Sequence, residues 1–277
     1  MILNETYKLY NGTGIPKIAL GTWQVSEQDA AGSVAAALKM GYRHVDTAAA
    51  YENEKGVAQG IRQSGIARES IFITSKVPAE VKTYEEAKAV IEASLSNLET
   101  DYIDLMLIHA PKPWAEMFQK GIDKTYFEEN LAVWKALEEA YQAGRLKAIG
   151  VSNFDVADLQ NIIDNAQVKP MTNQIRVHVG HVPEDIIAYC QKEDILVMAY
   201  SPNATGRLAK NQAVVEMAAK YNVSVPQLGI RYVLQLGLLP LPKTTHEEYM
   251  RANAQVEFEI SAEDMDVLSK VEEESDE

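Results

Sequence analysis

Short runs of apolar residues rich in Val, Ile and Leu alternate along the chain with longer segments whose apolar positions recur at steps of three and four. The short runs fit buried strands and the longer segments fit amphipathic helices. The strand candidates are 17–23 (KIALGTW), 43–48 (RHVDTA), 71–76 (IFITSK), 103–109 (IDLMLIH), 147–152 (KAIGVS), 171–176 (MTNQIR), 195–201 (ILVMAYS) and 238–243 (LLPLPK). Helical segments between them include 85–98 and 126–144, the latter closing on Ala143-Gly144, a natural C-terminal stop. A strand every roughly 25–40 residues is the rhythm of βαβ units and a parallel sheet. Eight such units predict an α/β fold that closes into a (β/α)8 TIM barrel, because an open doubly wound sheet usually stops at about five or six strands. Ahead of them, residues 6–20 predict a β-hairpin turning at Asn11-Gly12 and capping the bottom of the barrel. Gly12 and Gly14 imitate the start of a dinucleotide fingerprint, but Lys17 stands where its third glycine belongs and no helix follows.

Length and composition narrow this picture. The 277 residues suit one barrel of the usual size, about 250 residues, so residues 1–277 are read as a single domain. With 47% hydrophobic and 24% charged residues, there is ample material for a core. No run approaches the roughly 18–20 apolar residues of a membrane span, and the first residues, MILNETYKLYNG, carry neither a basic nor an apolar leader. A cytoplasmic monomer with no membrane partner is expected. The one cysteine, Cys190, lies in the apolar helical stretch DIIAYC and reads as a buried, inert thiol. A formal charge of −14 excludes nucleic acid as a partner, since phosphate binding needs a basic face. Any anionic ligand must be held by local cations. The acidic end EEESDE, residues 272–277, reads as a solvated, frayed tail.

In a barrel of this kind the chemistry sits where strands end and βα loops begin. The residues closing the predicted strands are Trp23, Asp46, Lys76, His109, Ser152-Asn153, Gln174, Tyr200-Ser201 and Lys243-Thr244. Any one of them could be a helix cap, a rim ion pair or a satisfied core histidine. Together on one face, Asp, Lys and His point to a built site, because buried charge is costly unless paired.

The segment RHVDTAAAYENE, with Asp46 and Tyr51 five apart, is followed in order by ITSK, LIHAP, VSNF, NQI, AYSP and LPK. This set resembles the aldo-keto reductase superfamily, in particular its short-tailed bacterial diketogluconate- and glyoxal-reductase-like members, and spans Gly21 to Asn253. The resemblance implies reduction of small aldehydes, dicarbonyls or keto-sugars by hydride transfer from NADPH, with NADH as an alternative, and no metal. Tyr51 would be the general acid, and Lys76 would lower its pKa. Asp46 would hold Lys76 charged, and a neutral His109 would orient the substrate oxygen. Ser152, Asn153 and Gln174 match positions that hold the nicotinamide carboxamide, and Tyr200 matches the ring stacked on it. Gly21, Thr22 and Ser201 fall beside the cofactor, and Lys243 and Thr244 match the clamp on the adenosine phosphate. Trp23 and Trp114, with Phe118, would wall the substrate pocket.

The sequence departs from the family pattern in two places. Ala110-Pro111 stands where many relatives have Trp-Pro, which removes bulk near the pocket. Tyr249 stands where relatives often have an arginine, and Arg251, two residues on, points to another side of the helix. His178 and His181 lack a sequence-adjacent third ligand and read as loop residues, and Arg176 reads as a rim ion-pair residue. Two alternative functions remain at this stage. One is a Schiff-base aldolase using Lys76; the other is a cofactor-binding sensor or regulatory subunit with slow turnover.

Overall fold

A computed structural model of the protein describes residues 1–117, 119 and 124–272. Phe118 and the tail beyond Glu272, both assigned roles above, lie outside the described residues. The chain opens with the predicted hairpin, β1 (Thr6–Lys8) paired antiparallel with β2 (Gly14–Pro16). Its turn is built as Asn-Gly requires: Gly12 has φ +89°, and Asn11 Oδ1 accepts from the Thr13 amide at 2.9 Å.

All eight predicted barrel strands form. They are β3 (Leu20–Gly21), β4 (His44–Asp46), β5 (Phe72–Val77), β6 (Leu105–Ile108), β7 (Ile149–Ser152), β8 (Thr172–Arg176), β9 (Leu196–Tyr200) and β10 (Leu239–Leu241). Each pairs in parallel with its sequence neighbour. The ends of the sheet meet at a parallel bridge between Gly21 and Lys243, where the Gly21 amide donates to Pro242 O at 3.0 Å.

Helices α1 (Glu27–Met40), α2 (Glu54–Ser64), α3 (Tyr84–Asn97), α4 (Trp114–Met117), α5 (Phe127–Gln142), α6 (Val156–Asn165) and α7 (Glu184–Lys192) follow the strands in turn. The chain continues through α8 (Gln212–Lys220), α9 (Val225–Gln235), α10 (Glu247–Asn253) and α11 (Ala262–Ser269). Their ends carry the expected signals. Ser26 caps α1, Thr83 caps α3, and Asp155 with Asp158 forms a capping box on α6. Cys190 is buried within α7, and burial pushes its thiol up to about 11. Among the described residues no helix is long and apolar enough to cross a membrane.

Strand alternation sorts the core into two shells. Met106, Ile108, Ile73, Val77 and Val197 pack outward against the helices. Their neighbours Phe72, Leu105, Leu107, Met171, Met198 and Leu239 form a separate inner cluster. Leu9 and Ile15 of the hairpin join this inner cluster, so the hairpin plugs the end of the barrel where the strands begin. Tyr10 Oη donating to Lys169 O, and Asn11 Nδ2 to Lys147 O, fasten it there. The period of two then carries the inward face upward from Leu105 and Leu107 to His109, and from Phe72 to Lys76. The floor of the barrel is apolar and its mouth is polar.

Candidate active site

Lys76 is fully buried at the mouth of the barrel. Its ammonium donates to Asp46 Oδ1 at 2.7 Å, to Thr47 O at 2.8 Å and to Tyr51 Oη at 3.4 Å. An ammonium has three hydrogens, and each has an acceptor. Burial works against the Lys76 charge, but Asp46 and Tyr51 together hold its pKa above the ordinary lysine value. A Schiff-base lysine must be neutral to attack a carbonyl, and this pairing favours the charged form, which speaks against the aldolase alternative.

Asp46 is fixed from several sides. Its second carboxylate oxygen accepts from Gln174 Nε2 at 2.7 Å, and its backbone carbonyl accepts from the amide and hydroxyl of Thr22 at 3.0 and 3.1 Å. Gln174 thus links directly to the Asp46–Lys76 pair, a contact between residues 128 apart that the sequence did not reveal.

Tyr51 lies in the short turn Ala49–Tyr51, with Lys76 Nζ 5.0 Å from its ring centroid. The sequence reading expected Lys76 to bring its pKa below the ordinary tyrosine value. Lys76 does act in that direction, through its charge and its hydrogen bond, but burial raises the pKa more and Asp46 adds to the rise, so the net shift is upward. Tyr51 therefore keeps its proton across the neutral range. What Lys76 supplies is a cation beside the oxygen when that proton leaves.

His109 completes the cluster, its ring meeting Tyr51 edge to face with centroids 5.5 Å apart. Burial, and then the Lys76 charge, depress its pKa to about 3, so the imidazole is neutral. Its Nδ1 is buried with no protein partner among the described residues. The Trp114 ring crosses it nearly perpendicular at 5.2 Å.

Beside this cluster runs a second chain of polar groups. Tyr200 Oη donates to Asn153 Oδ1 at 2.8 Å, and Asn153 Nδ2 donates to His109 O at 3.0 Å and Ser152 Oγ at 3.1 Å. Ser152 Oγ donates to Gln174 O at 2.8 Å. Asn153 and Ser201 both adopt left-handed backbone conformations, φ +60° and +51°, where their strands turn into the following loops. Gly21 and Thr22 sit at the β3–β10 seam. Lys243 is exposed there, and Thr244 is buried and accepts from the His246 amide at 3.1 Å. Tyr249 is exposed and stacks edge-on against His246 at 5.3 Å.

Other residues singled out by sequence fall outside the central cluster. Trp23 is about half exposed on the turn after β3. His178 and His181 exchange backbone hydrogen bonds, and Arg176 Nη2 approaches His181 Nδ1 at 3.2 Å. Sequence reasoning missed Thr47, Asn53 and Glu54. The last two lie inside the quoted YENE motif, but nothing in their spacing shows where their side chains turn. It also missed Lys82, whose ammonium donates to Ala110 O, Pro111 O and Asn130 Oδ1 at 3.0–3.2 Å and so fastens the loop behind His109.

An eight-stranded parallel barrel with a buried Lys–Asp pair, a protonated tyrosine and a neutral histidine at the strand ends defines the class: a barrel oxidoreductase acting on carbonyls. The chain belongs to the aldo/keto reductase family, whose family model matches residues 14–273. It is similar to a glyoxal reductase of Bacillus subtilis (strain 168), 42% identical over 268 residues that span 96% of this chain and 92% of that one. It is also similar to glycerol 2-dehydrogenase (NADP(+)) of Saccharomyces cerevisiae, 33% identical and covering 97% and 91% of the two chains. Among solved structures, an aldo/keto reductase from Brucella melitensis superposes with a TM-score of 0.88 at 36% identity, covering 96% of this chain and 98% of that one. A Bombyx mori aldo-keto reductase in complex with NADP gives 0.86 at 31% identity, with 96% and 92% covered. The protein is accordingly an NAD(P)H-dependent oxidoreductase acting on carbonyl or CH–OH groups.

Proposed function

We propose that the protein reduces small aldehydes and dicarbonyls to alcohols with NADPH, using Tyr51 as the proton donor. The observation that carries this reading is the fully buried Lys76, paired with Asp46 and donating to a Tyr51 hydroxyl that stands beside a neutral His109. Reduction leaves negative charge on the carbonyl oxygen, and that charge must be met by a proton. Tyr51 Oη gives up its proton to this oxygen, and the phenolate left behind is stabilised by the Lys76 ammonium. Asp46 keeps that ammonium charged and aimed. A neutral His109 donates a hydrogen bond to the same oxygen and orients the carbonyl, as a neutral imidazole beside the proton donor can.

The donor set fits a nicotinamide dinucleotide. Tyr200, fixed through Asn153, offers an aromatic face beside the polar groups of Ser152, Asn153 and Gln174, which would hold the carboxamide. When bound, this cofactor supplies the hydride. Lys243 and Thr244 would hold the adenosine phosphate, and favour NADPH. The glyoxal reductase likeness favours compact dicarbonyls, with Trp23 and Trp114 as pocket walls.

The test is cofactor oxidation against a panel of glyoxal, small aldehydes and keto-sugars. Wild type should turn over the small members, and Tyr51→Phe should lower kcat by roughly 10²–10⁴ while cofactor affinity holds. A Tyr51→Phe enzyme of full activity overturns the assignment. Tight cofactor binding with negligible turnover of every carbonyl would mark a sensor.

A further inference from the structure

Asn53 stands at the N-cap of α2, a position where asparagine ordinarily accepts from the first helical amides, yet its side chain makes no such bond. It is completely buried, and its amide turns away from the helix. Nδ2 donates to Thr22 O and to Val25 O, both at 2.9 Å, and Oδ1 accepts from Thr47 Oγ1 at 2.8 Å. The two carbonyls bracket Trp23 and Gln24, and the turn between them is closed by the Val25 amide donating to Thr22 O at 3.1 Å. Gln24 sits there at φ +56°, a left-handed conformation that a non-glycine residue holds only when its surroundings impose it. Trp23 itself is 47% exposed, so its ring depends on this turn for its position more than on packing.

The other end of the same amide reaches the catalytic cluster. Thr47, whose hydroxyl Asn53 receives, offers its backbone carbonyl to Lys76 Nζ at 2.8 Å. Asn53 also lies two residues beyond Tyr51. One buried side chain thus connects the turn carrying the proposed pocket wall with the residues flanking the proton donor.

We propose that Asn53 is a positioning residue that sets Trp23 against the Tyr51–Lys76 pair and thereby determines which carbonyl substrates the pocket accepts. The inference rests on carbonyl reduction at this site. Asparagine alone supplies the required pattern at this reach, two donors and one acceptor. Aspartate would set a carboxylate against two carbonyls, and serine cannot span all three partners.

Two measurements test it on the full-length protein. The first is the ratio of kcat/KM for a bulky aromatic aldehyde to that for glyoxal, in wild type, Asn53→Ser, Thr47→Val and each of these with Trp23→Ala. Asn53→Ser should shift the ratio roughly tenfold and Thr47→Val in the same direction by less, as expected for losing two or three buried hydrogen bonds against one. Both shifts should vanish in the Trp23→Ala background, because the wall they position is gone. The second is fluorine NMR of protein labelled with 5-fluorotryptophan, whose three indoles are assigned by the lines lost in Trp23→Phe and in Trp114→Phe. In Asn53→Ser the Trp23 line should move and broaden while that of buried Trp134 stays. If Asn53→Ser does not fold, Thr47→Val carries both measurements, since it removes one hydroxyl at constant shape. An unchanged ratio, a shift that persists without Trp23, or an unmoved Trp23 line overturns the proposal. Should no carbonyl be turned over, the functional reading fails, and the Trp23 line still decides the positioning role.

Discussion

If Lys243 holds the adenosine phosphate as proposed, it and Tyr249 decide how strongly the protein distinguishes NADPH from NADH, because the whole chain carries −14 and its long-range field opposes an added phosphate. Lys243 is exposed beside Thr244, while the arginine that relatives often carry is replaced by Tyr249, which is 54% exposed. Glu247 and Glu248 open the same short helix, adding negative charge nearby. A single charge-assisted contact of about 1.5–3 kcal/mol predicts a preference for NADPH of very roughly 10- to 150-fold. Lys243→Ala should erase most of it, and Tyr249→Arg should enlarge it by adding a planar donor fork. The check is the ratio of catalytic efficiencies with the two cofactors at low and high salt. A wild-type preference for NADH, or a ratio indifferent to Lys243→Ala, would mean that the lysine does not bind the phosphate.

The packing of α1 on α2 places the segment that carries Tyr51 and Asn53, and it depends on two glycines. A Cβ at Gly56 would lie 2.0 Å from Glu27 O, and one at Gly60 would lie 2.6 Å from Ala31 O and 2.7 Å from Val34 Cβ. Both clashes involve atoms of the facing helix that cannot swing aside. The missing side chains let the two helices approach closely, with Ala30, Ala31 and Val34 filling the contact. Gly60→Ala should destabilise the protein by about 1–3 kcal/mol, the usual cost of overpacking, despite the gain in helix propensity. Denaturant unfolding measures it, with the surface substitution Gln63→Ala on the same helix as the control. A stabilised Gly60→Ala would show that α2 can shift without cost.

For the molecule as a whole, three buried titratable groups contribute to the response of stability to pH between ~3 and ~7. Burial depresses His44 and His109 to about 3, whereas unfolded histidines titrate near about 6.5. Between those values the unfolded chain binds protons that the folded chain refuses. Their contribution is complete above pH ~6.5 and is lost progressively as pH falls toward ~3. Asp158 acts in the opposite sense: burial, and then Asp155, raise it to about 7. As pH climbs from ~4 to ~7 the unfolded carboxyl ionises and the folded one does not, which costs stability. The melting temperature should therefore fall on acidification below pH ~6.5, less steeply than two histidines alone would give. Asp158→Asn should steepen that fall and raise stability at pH ~8, and His44→Gln should flatten it. Thermal melts of the three proteins between pH ~4 and ~8 provide the check, read as slopes so that any constant offset from repacking drops out. Parallel curves would contradict the assignment.

Period-two alternation and the regular strand–helix rhythm are local properties, so the sequence alone determined the hairpin, all eight barrel strands and the face on which Asp46, Lys76 and His109 emerge. Asn11-Gly12 at the turn and Ala143-Gly144 after α5 were readable for the same reason, since backbone conformation there follows from residue type. Tertiary structure decided the rest. Gln174 reaches Asp46 across the barrel, Asn53 turns from its own helix toward Thr22 and Val25, and Lys82 holds the loop behind His109. None of these pairings leaves a periodic trace, because each joins strands or strand-end loops that are close only once the barrel has closed. The direction of the Tyr51 pKa belongs to the same class. The neighbouring lysine could be anticipated from the chain, but the balance between its charge and the loss of water depends on how deeply the folded barrel encloses the hydroxyl, a property of the whole fold.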